Sequence, residues 1–297
     1  MIEITGLTKA YDKENVLENL NCKIKDSCIY GLVGANGAGK STLLRIINGV
    51  FKEDGGTILI DGKTIKDDEI KQDMVFVPDD LFFFQGYTLK DMANFYNSLY
   101  KKYDMKYFNE LVKTLKLDEN RKINTLSKGL KRQSALILAL ATNAKYVFLD
   151  ETFDGVDPVI RTVLKKVIAK YMDKNNSTII MTSHNLRELE DICDNLGLLY
   201  KGGILFESDI DSLKTNMFKI QISLKEDFSE KDFKDMEVLS FKKKGSVATV
   251  IIKGDKEKAK KYLESLKPVI LDFIPLTLEE IFIYEMEVLG YAFEDVI

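Results

Sequence analysis

The stretch Gly34-Ala35-Asn36-Gly37-Ala38-Gly39-Lys40-Ser41-Thr42 constrains this chain more than any other. It fits G-x-x-x-x-G-K-[ST] without a departure. The apolar run Cys28-Ile29-Tyr30-Gly31-Leu32-Val33 precedes it, and Leu43, Leu44, Ile46 and Ile47 follow at helical spacing. A buried strand, a glycine turn and a helix are therefore expected. Glycines let successive backbone N–H groups converge on phosphate oxygens, and the helix start adds partial positive charge. Lys40 is suited to the β and γ phosphates as a point charge, and Ser41 offers a hydroxyl to Mg²⁺. Gly34, Asn36, Gly37, Ala38, Gly39, Lys40, Ser41 and Thr42 are thus candidate nucleotide-binding residues.

Around this loop the pattern alternates strand with helix, as a mostly parallel, buried sheet requires. Ile2-Glu3-Ile4, Val16 to Ile24, Thr57 to Ile60 and Met74 to Val77 read as strands, and Asp61-Gly62 marks a hairpin. Strand-like runs return at Tyr146 to Leu149, Thr178 to Met181 and Leu196 to Tyr200, with helices expected near Val159–Lys170 and Leu186–Cys193. Between about 88 and 144 the pattern is helical instead. Thr88 and Asp91 resemble an N-terminal cap, a second helix is expected from Met105 to Leu115, and a third starts near Ser127. This block reads as an inserted helical subdomain. Beyond Leu213 the texture changes to three strand-like runs, a helix over Lys256–Leu266, a strand over Val269–Phe273 and a helix over Leu278–Leu289.

Of the 297 residues, 45% are hydrophobic and 30% charged, an ordinary globular mix. A net charge of −4 provides no global basic field, so no nucleic-acid partner is expected. The three scattered cysteines, Cys22, Cys28 and Cys193, fit a reducing cytosol and read as buried small hydrophobes. The longest apolar run, Ala135 to Ala141, is far shorter than the ~20 residues that span a bilayer. The N-terminus carries no signal-peptide pattern, so a cytoplasmic chain is expected.

The strand Tyr146-Val147-Phe148-Leu149 ends in Asp150-Glu151, at the carboxyl edge where ligands bind α/β sheets. Asp150 is expected in the Mg²⁺ shell, and Glu151 is placed to orient or deprotonate an attacking water. The single histidine, His184, directly follows another sheet strand. It reads either as a hydrogen-bond donor to a γ phosphate or as a helix-start residue facing water.

Taken together these residues resemble the nucleotide-binding subunits of ATP-binding cassette (ABC) transporters, in the family's order, over about Met1 to Asp211. Leu126-Ser127-Lys128-Gly129-Leu130 looks like the family signature, and Glu151-Thr152-Phe153-Asp154-Gly155-Val156-Asp157-Pro158 looks like the segment after the acidic strand. His184 matches the switch histidine and Tyr11 the aromatic that stacks on adenine. The resemblance implies an ATPase that uses ATP and Mg²⁺, with Glu151 and His184 catalytic and Ser127, Gly129 and Asp157 adding nucleotide contacts. It implies an α/β P-loop cassette with a mostly parallel sheet, an antiparallel β part and an inserted helical subdomain, plus a small C-terminal α+β domain. The domains are expected at 1–212 and 213–297. Two cassettes pair head-to-tail in this family, so a second nucleotide-binding subunit is implied. So is a separately encoded integral-membrane subunit, which would hold this chain on the inner face of the cell membrane.

Lys128 and Leu130 depart from the signature Leu-Ser-Gly-Gly-Gln, and the Lys128 ammonium reads either as approaching phosphate or, the favoured reading, as simply pointing to water. Asp79, in Val77-Pro78-Asp79, stands where the family usually has glutamine. It reads as a nucleotide and metal contact through water or as a solvated loop residue. An acid here is similar to exporters and antibiotic-resistance or peptide-immunity ATPases, as is the ending Leu276-Thr277-Leu278-Glu279-Glu280-Ile281-Phe282. Ile281, Phe282, Met286 and Leu289 form a stripe that reads as core rather than partner surface. The reading is a subunit that powers export of a drug, peptide or envelope component. The alternative is a soluble, non-transport ABC ATPase of iron–sulfur assembly or of nucleic acid and ribosomes.

Overall fold

A computed structural model describes residues 1–12, 14–233 and 235–288. In chain order the elements are β1 (Ile2–Tyr11), β2 (Glu14–Ile24), β3 (Ile29–Val33), α1 (Lys40–Ile47), β4 (Gly55–Ile60), β5 (Lys63–Thr64), α2 (Asp68–Gln72), β6 (Met74–Val77), α3 (Leu89–Leu99), α4 (Met105–Leu115), α5 (Lys128–Leu140) and β7 (Tyr146–Asp150). They continue with α6 (Pro158–Asn175), β8 (Thr178–Ser183), α7 (Leu186–Glu190), β9 (Asn195–Tyr200), β10 (Gly203–Asp209), α8 (Ile210–Asn216), β11 (Met217–Ser223), β12 (Glu237–Lys244), β13 (Val247–Lys253), α9 (Lys256–Ser265), β14 (Ile270–Ile274) and α10 (Leu278–Val288).

The six-stranded sheet runs β10-β9-β3-β8-β7-β6. β3 pairs parallel with β8 and β9, and β7 pairs parallel with β6 and β8. Strands β3, β7 and β8 are buried along their whole length, which explains their continuous apolar runs. Because these strands point the same way, the residues that follow β3, β6, β7 and β8 emerge at one edge. A separate antiparallel sheet, β2-β1-β4-β5, shares a core with α1 through Ile2, Ile4, Leu17, Leu44 and Ile60.

The helical block is bounded as its caps require. Thr88 and Asp91 form a full capping box on α3, and Asp104 caps α4 by accepting from Tyr107 N–H at 2.9 Å. Ser127 caps α5, whose residues Ala135 to Leu140 are all buried. Helix α7 stops at Glu190, short of the expected Cys193, while α6 runs on to Asn175. Neither β10, with its half-exposed edge pattern, nor α8 is anticipated by periodicity.

The chain divides into two compact units, one spanning Met1–Glu207 and one beginning at Ser208; a division at 212/213 would fall inside α8. The second unit is an antiparallel sheet, β12-β13-β11-β14, with a core of Phe218, Ile220, Ile222, Val250, Ile252 and Leu263. Ile281, Phe282 and Met286 are buried as the stripe expects; Leu289 lies outside the described residues. Among the described residues, no helix is long and apolar enough to cross a membrane.

Candidate functional site

The turn between β3 and α1 has no room for side chains at two of its glycines. Gly39 adopts φ +106°, and a Cβ there would lie 2.9 Å from Val16 O and Leu17 Cδ2. At Gly34 a Cβ would meet Leu199 O at 2.5 Å. The turn opens on a cavity of about 360 Å³. Asn36, Gly37, Gly39, Lys40, Ser41, Thr42, Asp79, Glu151 and His184 line it, together with Val16 and Asp154. Gly34 and Ala38 shape the turn behind it: Ala38 N–H donates to Ala35 O at 3.1 Å.

Lys40 is buried, and its Nζ donates to Gly34 O at 2.6 Å and Ala35 O at 3.2 Å. Burial lowers its pKa below the usual lysine value, while the Glu151 carboxylate, with Oε1 3.6 Å away, opposes that shift. Glu151 Oε2 lies 3.0 Å from His184 Nδ1. One carboxylate is thus held between the loop lysine and the lone histidine.

Thr182 fixes this arrangement from beneath. It sits opposite Asp150 in the β7–β8 register. Its Oγ1 donates to Asp150 Oδ1 at 2.6 Å and accepts from Glu151 N–H at 3.0 Å. Glu151 carries φ +45°, a left-handed conformation that side chains rarely adopt and that the surroundings must enforce. The turn bearing His184 is anchored likewise: Ser183 Oγ donates to Glu188 at 2.7 Å and accepts from Asn185 N–H at 3.0 Å, and Glu188 pairs with Arg161 at 2.8 Å.

Asp150 is fully buried and its Oδ2 finds no hydrogen-bond partner. A buried carboxylate oxygen left open fits the coordination shell of a hard divalent cation, and the Ser41 hydroxyl on the cavity wall is a second oxygen of the right kind. The residues present therefore suit a magnesium–triphosphate group.

The other expected positions are distributed differently. Tyr11 does not line the cavity; its ring is 42% exposed and meets Phe51 edge-on at 6.3 Å. Ser127 accepts from Leu130 N–H at 3.3 Å as the α5 cap, and Asp157 accepts from Val159 N–H at 2.9 Å as the α6 cap; neither lines the cavity. Gly129 packs so closely that a Cβ would sit 3.0 Å from Gly155 O.

Two readings change. The Lys128 ammonium does not simply point to water: it binds Asp154 Oδ2 at 2.6 Å, and this contact holds the Asp154 carboxyl below its usual pKa. Asp79 is not merely a solvated loop residue either. It lines the cavity, and its carboxylate is paired with Arg132, whose Nη1 also donates to Pro78 O at 3.2 Å. Thr182, Arg132 and Asp154 escape a reading of the sequence. Arg132 and Lys128 look like solvated charges at a helix start, and the role of Thr182 depends on sheet register.

The ABC transporter family model matches residues 17–154. Over 284 residues the chain is 34% identical to the ABC transporter ATP-binding protein YtrB of Bacillus subtilis (strain 168), covering 95% of this chain and 97% of that protein. The chain belongs to the ATP-binding subunits of ABC transporters. This ABC subunit is accordingly an ATPase that uses ATP with Mg²⁺. It is also 31% identical over 217 residues to the methionine import ATP-binding protein MetN of Clostridium tetani, covering 67% of this chain and 66% of MetN. The lantibiotic transport ATP-binding protein SrtF of Streptococcus pyogenes is 27% identical over 212 residues, covering 71% of this chain and 92% of SrtF. Among solved structures, a dimeric bacterial ABC transporter cassette superposes with a TM-score of 0.64 at 25% identity, covering 71% of this chain and 99% of the other.

Proposed function

We propose that this subunit powers a membrane exporter by hydrolysing ATP at the cavity described above, between two cassettes paired head-to-tail. The observation that carries the reading is the Glu151 carboxylate, held between Lys40 and His184 on the wall of a phosphate-binding turn. In this reading the turn's N–H groups and the α1 start hold the phosphates, and Lys40 offers its ammonium to the β and γ positions. Ser41 and Asp150 would hold Mg²⁺, which when bound neutralises charge on the phosphate oxygens. Glu151 orients and deprotonates the attacking water, and His184 fixes its carboxylate. Ser127 and Gly129 serve the second copy's γ phosphate, which accounts for their place outside this chain's own cavity. Tyr11 stacks on adenine, and Asp157 supports the nucleotide through the α6 start.

Export is supported by the likeness to SrtF and by the ending Leu276 to Phe282. The cargo class is a drug, peptide or envelope component, selected by a separate integral-membrane subunit. That partner would hold this chain on the inner face of the cell membrane. The unit Met1–Glu207 forms the nucleotide domain in this reading, and the unit from Ser208 onward is an accessory domain for packing and dimer support. The test is light scattering of Glu151→Gln with MgATP. The variant is expected to accumulate as a dimer that Lys40→Ala does not form; a variant that stays monomeric under saturating nucleotide would sink the paired mechanism.

A further inference from the structure

Lys128 and Arg132 stand four positions apart, and hence one turn apart on one face of α5. Each reaches an acid that lines the phosphate cavity. Lys128 Nζ holds Asp154 Oδ2 at 2.6 Å, and Arg132 Nη2 holds Asp79 Oδ1. The two acids come from different loops, one after β7 and one after β6. Arg132 is 1% exposed and its Nε has no hydrogen-bond partner, so its charge depends on the Asp79 carboxylate for compensation. The dependence runs both ways. Two unpaired carboxylates on a cavity wall would repel a polyphosphate, and each is instead neutralised by a cation of α5.

We propose that Lys128 and Arg132 are positioning residues for nucleotide binding. They form a two-point cationic clamp that neutralises Asp154 and Asp79 and so lets an acid-walled cavity take a nucleoside triphosphate. The proposal rests on the reading of this cavity as the nucleotide site. Reciprocity follows: whatever pulls α5 off the cavity weakens nucleotide binding, and bound nucleotide strengthens the seat of α5.

The test is calorimetric titration of the full-length protein with a non-hydrolysable ATP analogue and Mg²⁺. At low salt, Lys128→Ala is expected to raise Kd about three-fold, the scale of one partly exposed ion pair. Asp154→Asn alone is expected to lower Kd, and the double variant K128A/D154N to return to within about 1.5-fold of the parent. The effect of Lys128→Ala shrinks at about 0.5 M salt, where exposed charges are screened. Arg132→Lys is expected to bind better than Arg132→Met, with D79N restoring part of the R132M loss. Thermal midpoints separate weaker binding from misfolding of the buried Arg132 variants, and the Lys128 pair decides the matter on its own if those fail to fold. An unchanged Kd for K128A, or a double variant as weak as K128A, overturns the clamp. Lys40→Ala keeps the two readings apart: if it binds nucleotide like the parent, the cavity itself is misassigned, whereas loss of binding in K40A with none in K128A removes only the clamp.

Discussion

At the scale of single residues, the site depends on backbone geometry as much as on side-chain chemistry. Gly39 is the clearest case, with φ +106° and no space for a Cβ against Val16 and Leu17. Gly39→Ala is expected to cost about 1–3 kcal/mol of stability and to abolish nucleotide binding, checked by urea unfolding and titration. Thr182 is a case the sequence hides. Thr182→Val leaves Asp150 Oδ1 and the Glu151 N–H without their partner, at a cost of about 1–3 kcal/mol. Because Glu151 holds φ +45° on that hydrogen bond, steady-state kinetics of the variant should show kcat falling more than KM rises. The glycine turn between β3 and α1 was legible because its residue spacing is local and sets where the strand ends and the helix begins. Thr182 was not, because only the β7–β8 register sets it across from Asp150.

Among the elements, α5 does two jobs that pull its composition apart. Its second half is buried on every side, with Leu136 and Leu138 fully enclosed, while its first two turns carry Lys128 and Arg132 to the cavity acids. Leu136→Ala should lower stability by about 2–5 kcal/mol in a denaturant titration, the range for emptying a packed core position. The caps of α3 and α5 and the continuous strands β3, β7 and β8 could be read from residue pattern, since capping chemistry and burial on both faces leave local marks. The edge strand β10 and the short helix α8 left no such mark: β10 is half-exposed and α8 spans only Ile210–Asn216. The partners of Lys128 and Asp79 are long-range as well, so charge pattern along α5 suggested solvent where the fold supplies Asp154 and Arg132.

For the molecule as a whole, burial sets the pH response. It pushes Cys22 up to about 12 and Cys28 up to about 11, and it also raises Cys193 and Tyr30 above their usual values. A group whose folded pKa is raised contributes stability that is fully present below its unfolded pKa and is lost as pH rises through the folded one. Between neutral pH and about pH 8.5, urea midpoints should therefore hold steady, and they should decline from there up to about pH 12, the folded value of Cys22. Thiol reagents should react slowly with the folded protein and fully with the unfolded one. The parallel sheet gives these local features their function by bringing the ends of β3, β6, β7 and β8 to one edge, where Lys40, Asp79, Glu151 and His184 line one cavity. The most direct test of that claim is the steady-state ATPase rate of Glu151→Gln, measured beside its equilibrium affinity for MgATP. If Glu151 is the general base as proposed, its replacement should lower turnover by about 10²–10⁴-fold with affinity retained; turnover at the parent rate would contradict the assignment.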